Sequence, residues 1–189
     1  MKPQIKISLT LAIVCAIAAA SLAAVNQVTQ RAIAINSMKE LQDSLRIVYP
    51  SADHFEQEVL PNMGSNAGSE NKDFSILDTY QAYQGNNKIG YVFKVGSKGY
   101  GGQIILLIAI SLQNKTMVGI KVLEHQETPG LGSEITSSQF QNQFKDKPLS
   151  DPYEINQDIQ ALSGATISSR AVIRACQGVL DTLKKETNI

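Results

Sequence analysis

The residues best suited to chemistry in this chain form a short motif near its C-terminus, Ser163-Gly164-Ala165-Thr166. Apolar residues that follow at helical spacing predict a helix from about Ser168 to Lys185, so the motif lies where that helix begins. The first N–H groups of a helix lack intrahelical partners and carry partial positive charge, which stabilises a bound phosphate. The motif therefore offers one hydroxyl, that of Thr166, at a candidate phosphate site. The alternative is that Ser163 or Thr166 simply caps the helix.

Two glycine-containing segments upstream are further candidates. In Glu127-Thr128-Pro129-Gly130-Leu131-Gly132, the Pro-Gly pair predicts a type II turn, with glycine where φ must be positive. In Gly99-Tyr100-Gly101-Gly102, adjacent glycines either form a hairpin turn that needs positive φ or let the backbone approach a planar ring beside Tyr100. Both interpretations of this second segment stay open at this point.

Together these motifs resemble the FMN-binding domain of the G subunit of the Rnf electron-transport complex, which is related to the C subunit of sodium-translocating NADH:quinone reductase. The resemblance runs from about Lys88 to the C-terminus and includes Phe140 and Phe144 between the two motifs. It implies that a separate flavin transferase esterifies Thr166 to the phosphate of FMN. Asp158 precedes the motif as in the transferase's target pattern.

The resemblance also implies the remaining cofactor contacts. Arg170, one turn beyond Thr166, is expected to pair with the phosphodiester. The expected contacts to FMN are Tyr100, Glu127, Thr128, Leu131, Gly132, Ser163, Gly164 and Ala165.

His125 and Glu127 form a His-x-Glu pair, but the Pro-Cys-x-x-Cys that zinc deaminases also need does not follow, so we predict no metal site. No residue is predicted to be catalytic.

The function implied is that of a membrane-anchored flavoprotein subunit, which relays electrons within an ion-translocating ferredoxin:NAD oxidoreductase and is not catalytic alone. Its expected partners are the other membrane subunits of the Rnf complex. One alternative is the C subunit of the quinone reductase. Another, from a different class, is a membrane-tethered flavin-binding or sensory module without electron transfer.

Composition agrees with one domain and a short appendage, since the chain has 189 residues, 43% of them hydrophobic, and no formal net charge. Basic and acidic residues are scattered and matched, so no nucleic-acid partner is predicted. Cys15 lies in the apolar N-terminal stretch and Cys176 in the last helix, so no disulfide is expected. Burial of Cys176 is expected because it shares a helix face with Val172, Val179 and Leu180.

The N-terminal segment predicts a transmembrane helix. Lys2 and Lys6 are followed by no charged residue until Arg31, and the stretch 7–25 is almost wholly apolar or small. A cleaved signal peptide, cut near Ser21-Leu22-Ala23, is the alternative. The positive-inside rule places residues 1–6 in the cytoplasm and the main domain outside it, in a single pass of the inner (cytoplasmic) membrane.

Beyond the membrane, the expected class is α+β. Residues 26–60 are expected to form a stalk helix and a linker, with the helix ending before Pro50. Residues 61–73 are expected to form a flexible loop, and residues 74–189 the FMN-binding domain. Short connections predict an antiparallel meander covered by packed helices, with one short helix at about 137–144. The predicted strands are 76–83, 89–95, 104–111 and 117–123, the third apolar on both faces.

Overall fold

A computed structural model describes residues 3–58 and 73–187 of the chain. The chain divides into two compact units, Met1–Gln42 and Asp43–Ile189. Helix α1, Pro3–Val48, makes up the described part of the first unit and continues into the second. It ends before Pro50, as predicted, because proline cannot continue a helix. The predicted loop at 61–73 lies outside the described residues, except for Asp73.

In the first unit, the side chains of residues 11–26 are exposed, including several large apolar ones. Among the residues described, no helix combines the length and the apolar character that a membrane crossing needs.

The second unit is built on a six-stranded sheet in which the strands follow one another in chain order. All neighbouring strands are antiparallel, which confirms the predicted meander. The strands are β1 His54–Glu58, β2 Phe74–Gln84, β3 Asn87–Lys98, β4 Gln103–Ser111, β5 Thr116–Glu124 and β6 Lys147–Pro148. Short edge strands β1 and β6 were not predicted, and β1 lies in the segment expected to be a linker.

In the described part of the second unit, one α-helix lies between β5 and β6 and another follows β6. Helix α2, Ser138–Gln141, is a single turn between 3-10 segments at Gly132–Thr136 and Asn142–Phe144, where one short helix was predicted. Its start is fixed by the Ser137 hydroxyl, which accepts a hydrogen bond from the Phe140 N–H. Helix α3, Thr166–Thr187, covers one face of the sheet. The α+β class is therefore confirmed.

Strand β4 is buried on both faces, as its continuous apolar sequence predicted. Alternate residues, beginning at Ile104, join Phe140, Phe144 and the apolar side of α3 in the main core. Leu107 and Ala109 point to the opposite face and are also fully buried. The end of α1 packs on that face, and Tyr49, the residue after α1, donates a hydrogen bond of 3.1 Å to the Ile89 carbonyl.

A glycine in β3 permits the packing of the end of α1 on this face. A Cβ atom on Gly90 would lie only 2.8 Å from the Tyr49 hydroxyl and would collide with the Ile110 carbonyl. Leu45 and Val48 are buried at the same end of α1. The central strands are therefore held between the end of α1 on one face and α3 on the other.

Candidate functional site

The loop after β5 folds as the sequence predicted. The Leu131 N–H donates to the Thr128 carbonyl at 3.2 Å, which closes a four-residue turn. Gly130 has φ of +74°, the value that the third position of a type II turn requires. The Gly130 N–H donates to the Ser133 hydroxyl at 2.9 Å. The loop is thereby joined to the following 3-10 segment.

The turn from Gly99 to Gly102 joins β3 to β4, and the Gly99 N–H donates to the Gly102 carbonyl at 2.8 Å. The hairpin turn, one of the two alternatives, is therefore present, but without the positive φ associated with it, because the described glycines with positive φ are Gly85, Gly130 and Gly164. These glycines are instead required by close packing. A Cβ atom on Gly101 would collide with the Gln126 carbonyl, and one on Gly99 with the Glu127 carboxyl group.

Glu127 lies at the junction of three segments and is only 5% exposed. One carboxyl oxygen, Oε1, accepts a hydrogen bond of 3.0 Å from the Gly101 N–H. The other, Oε2, accepts a short hydrogen bond from the Ser168 hydroxyl in the first turn of α3. Glu127 also donates its own N–H to His125 Nδ1 at 3.3 Å. The side chain thus connects the β3–β4 turn to the start of α3.

Helix α3 begins at Thr166, so the Ser-Gly-Ala-Thr motif lies at a helix start as predicted. The chain enters the helix through Gly164, which has φ of +74°. Ala165, which has no capping group, precedes the helix. Among the described residues, no hydrogen bond is made by the hydroxyl of either Ser163 or Thr166, so the capping interpretation of the motif is not supported.

The helix start is instead fixed by Ser169. Its hydroxyl accepts from the Leu162 N–H and donates to the Ala165 carbonyl, both at 3.0 Å. Thr166 remains exposed at the surface. The first-turn N–H groups and the Thr166 hydroxyl therefore form an anion-binding arrangement that no capping side chain occupies.

These segments enclose a cavity of about 470 Å³, within the range of small-molecule sites. It is lined by Tyr100, Glu127, Thr128, Leu131, Gly132, Gly164, Ala165, Thr166, Ile167 and Ser168. The structure thus brings the predicted residues of both motifs and the Tyr100 turn together in one cavity. Of the predicted contacts, Ser163 and Arg170 are exposed and do not line it.

The rim of the cavity is apolar, although it faces solvent. Tyr100, Leu131 and Ile167 are 72%, 49% and 51% exposed. Exposed large apolar side chains grouped around a cavity are typical of a ligand-binding site.

Sequence reasoning missed two residues that line the cavity, Ile167 and Ser168. Ser168 is 2% exposed and Ser169 is fully buried, which is unusual for serine. Two adjacent serines at the start of an apolar helix face were the available signal. Ser168 is hydrogen-bonded to Glu127, which lies 41 residues earlier, and a contact between residues so far apart in sequence cannot be predicted from a local pattern.

Asp158, five residues before the motif, belongs to an ion cluster with Lys147 and Asp151. Its carboxylate accepts from the Glu154 and Tyr153 N–H groups at 2.7 and 3.0 Å, and it pairs with Lys147 at 3.1 Å. Burial by itself raises the pKa of Asp158. These hydrogen bonds and the Lys147 charge outweigh burial and leave the pKa below its usual value. Asp158 therefore holds the segment that leads into the motif.

His125 is half-buried and, as an acceptor, holds the Glu127 N–H. Across the described ranges 3–58 and 73–187, no group of three or more His, Cys, Asp or Glu side chains is arranged to hold a metal ion.

The sequence profile that describes the FMN-binding domain matches residues 99–181, a span that contains every residue lining the cavity. The profile thus assigns residues 99–181 of the second unit to the FMN-binding class. A crystal structure of NqrC from Shewanella oneidensis aligns with a TM-score of 0.47 and 22% identity, over 73% of this chain and 74% of that one.

Relatives match along almost the whole chain. The G subunit of the ion-translocating oxidoreductase complex of Methanosarcina acetivorans is 34% identical over 93% of this chain and 92% of its own. The G subunit of the proton-translocating ferredoxin:NAD(+) oxidoreductase complex of Clostridium ljungdahlii is 34% identical over 96% and 90%. Its counterpart in the Na(+)-translocating complex of Acetobacterium woodii is 30% identical over 90% and 87%. The chain belongs to the family of G subunits of Rnf-type ion-translocating oxidoreductase complexes.

Proposed function

We propose that this protein carries FMN in the cavity between the β3–β4 turn and the start of α3, and that it relays electrons within an ion-translocating ferredoxin:NAD oxidoreductase complex. The observation that carries the proposal is the convergence of the two motifs and Tyr100 on one cavity of about 470 Å³. The family profile of the same residues is that of an FMN-binding domain. In this role the subunit is an electron carrier and is not catalytic alone.

The residues present fit FMN at both of its ends. The exposed side chains of Tyr100, Leu131 and Ile167 suit the faces of a planar ring. The start of α3 suits the phosphate, because the first N–H groups of a helix lack intrahelical partners and no side chain in the described part of the chain caps them here. Gly164, with φ of +74°, lines this end of the cavity, where a Cβ atom would lie 3.2 Å from the Leu131 side chain. Arg170, one turn further along α3, adds positive charge for a phosphodiester.

The proposed attachment is a phosphoester between FMN and the Thr166 hydroxyl, made by a separate flavin transferase. Thr166 lines the cavity, is exposed and forms no hydrogen bond to the described residues. Its hydroxyl is therefore accessible to an external enzyme. Ser163 is exposed but does not line the cavity, so it is the less suitable acceptor.

Bound FMN supplies the redox chemistry, because flavins accept and release electrons. The protein's residues have other roles. Thr128 lines the cavity and brings a hydroxyl for the ring carbonyls. Tyr100 and Leu131 exclude water from the ring, and the start of α3 stabilises the phosphate charge. A covalent bond keeps the cofactor in place through many electron-transfer cycles.

The proposed membrane anchor is the segment 7–25, with residues 1–6 in the cytoplasm and the flavin domain on the other side. The support comes from the sequence, in which no charged residue occurs between Lys6 and Arg31. It also comes from the exposed apolar side chains of residues 11–26 in α1, which a lipid environment would cover. The proposed partners are the other membrane subunits of the complex.

The direct test is in-gel flavin fluorescence of the full chain produced with its flavin transferase. Wild-type protein is expected to fluoresce after denaturation, and Thr166→Val is expected to be dark. The matched control is Ser163→Ala, which removes a hydroxyl three residues away and should fluoresce like wild type. A dark wild-type band, with a transferase that is active on another substrate, would contradict the covalent attachment.

The anchor has its own test. Membranes that contain the full chain are washed with alkaline carbonate, which removes peripheral proteins and leaves spanning ones. The protein is expected in the membrane pellet, and an Ala18→Arg, Ala19→Arg double variant is expected in the supernatant because two charges at mid-span are costly. Release of the wild type by carbonate would refute a spanning segment.

A further inference from the structure

We propose that Glu127 is a positioning residue whose carboxyl group joins the two walls of the cavity and fixes their spacing before FMN is attached. One wall is the β3–β4 turn at Gly99 to Gly102, and the other is the first turn of α3. The inference rests on the proposed function for the identity of the cofactor. The contacts of Glu127 are made within the protein and do not depend on the proposed function.

The contacts of Glu127 favour this role over a direct bond to the ring. Each carboxyl oxygen accepts a hydrogen bond from a different wall: Oε1 from the Gly101 N–H at 3.0 Å, and Oε2 from the Ser168 hydroxyl. The side chain is 5% exposed, so water does not compete strongly for these bonds. Both oxygens are therefore engaged with the protein.

Glycines around Glu127 show how closely the walls meet. A Cβ atom on Gly132 would lie 2.8 Å from Glu127 Oε2 and 2.8 Å from the Ser168 hydroxyl. A Cβ atom on Gly99 would collide with the carboxyl group itself. Only glycine fits at these two positions, because the backbone packs closely around the Glu127 carboxyl group. Its two hydrogen bonds therefore have little freedom to change length.

The consequence for Thr166 follows from its place in the helix. Ser168 is two residues beyond Thr166 and belongs to the same first turn. If the bond from Ser168 to Glu127 is lost, that turn loses a fixed link to the sheet. A change at Glu127 can therefore displace the Thr166 hydroxyl, to which FMN is proposed to be attached, although Glu127 does not contact it. Small misplacements of reacting groups slow reactions strongly.

The first test is amide hydrogen exchange of the full chain without flavin, measured by NMR in detergent. Glu127→Ala is expected to speed exchange of the Gly101 N–H by about tenfold or more, because its buried acceptor is lost. Glu127→Gln is expected to stay near the wild-type rate. Its carbonyl can accept from Gly101 and its amide N–H can donate to the Ser168 hydroxyl. The matched control is Glu134→Ala, since Glu134 is exposed and makes no side-chain hydrogen bond to the described residues.

The second test is the rate of flavin attachment and the midpoint potential of the attached flavin. We expect Glu127→Ala to slow attachment about tenfold and to shift the potential, with Glu127→Gln restoring both. Ser168→Ala removes one bond only, so it should slow attachment while protection of the Gly101 N–H remains. It also serves if Glu127→Ala does not fold.

Two results would overturn the proposal. One is exchange of the Gly101 N–H within twofold of wild type in Glu127→Ala. The other is a Gln variant as impaired as the Ala variant, which would point to charge rather than to hydrogen bonding. The exchange experiment needs no flavin, so failure of wild-type protein to acquire FMN would contradict the proposed function and leave this inference to its own test.

Discussion

Replacement of Asp158 by alanine offers the sharpest test of how the segment before the motif is held. Asp158 has a 14% exposed side chain and three partners: the N–H groups of Tyr153 and Glu154, and Lys147. Tyr153 has a fully buried ring and a φ of +51°, which is strained for a residue other than glycine. Asp158 therefore stabilises a backbone conformation that the chain would otherwise avoid.

The magnitude follows from these bonds. Hydrogen bonds to a charged group contribute about 1.5–3 kcal/mol each, and loss of one partner of a buried pair costs about 3–5 kcal/mol. Because Asp158 is partly accessible to solvent, we expect Asp158→Ala to lower the free energy of unfolding by about 3 kcal/mol. Asp151 is the matched control. It pairs with the same Lys147 at 2.9 Å, but its side chain is 32% exposed. An ion pair that solvent reaches through one partner is worth about 0.5 kcal/mol, which is the loss expected in Asp151→Ala.

The assay is urea unfolding followed by circular dichroism, since the chain has no tryptophan. Both variants and wild type are compared at pH 7 with unchanged slopes of the transition. Equal losses in the two variants would refute the reasoning, because they would show that the bonds to the backbone add nothing beyond the pairing with Lys147.

Further predictions concern acidity, packing and thiol reactivity. The pKa of Asp158 is lower in the folded protein than in the unfolded chain, where it is about 4. The ionised Asp158 side chain therefore stabilises the fold fully above the unfolded pKa, and this contribution is lost as pH falls through the folded pKa. The difference in unfolding free energy between wild type and Asp158→Ala, measured by urea titration, should vanish in strong acid. Gly101→Ala should lose about 2 kcal/mol of stability in the same assay, because its Cβ collides with a backbone carbonyl. Gly119→Ala, where the nearest atom lies 3.8 Å away, should change stability by less than about 0.5 kcal/mol, and equal effects would count against the packing argument. Burial raises the pKa of the Cys176 thiol, so maleimide should modify Cys176 only after denaturation, as measured by peptide mass spectrometry. The control is Gln113→Cys, because Gln113 is exposed and its replacement should react at once. Equal rates of modification at the two positions would contradict the burial of Cys176.

Much of the fold was accessible from the sequence because its signals are local. Turn residues separate the apolar runs that became β2 to β5, and each predicted strand lies within an observed one. Strand β1 was missed since His54–Glu58 is mostly polar and lies at an edge, where neither face needs apolar residues. Burial of Cys176 was predicted correctly from its helical neighbours, and the structure confirms it.

The candidate site was only partly accessible from sequence. The Pro129-Gly130 turn was correct in detail, because its backbone conformation depends on two adjacent residues. At Gly99–Gly102 the hairpin turn is present but the positive φ expected of it is not. The close contacts with Gln126 and Glu127 were not predicted, because those residues are distant along the chain. The pair formed by Glu127 and Ser168 was missed for the same reason. Contacts between distant segments depend on the whole sheet, and local patterns do not encode them.

The most direct test of the central claim is mass spectrometry of the tryptic peptide 146–170, taken from protein produced with its flavin transferase. This peptide ends at Arg170 and contains both Ser163 and Thr166. The account predicts an added mass equal to FMN less one water, with fragment ions that place it on Thr166. An unmodified peptide, or an adduct on Ser163, would contradict the account.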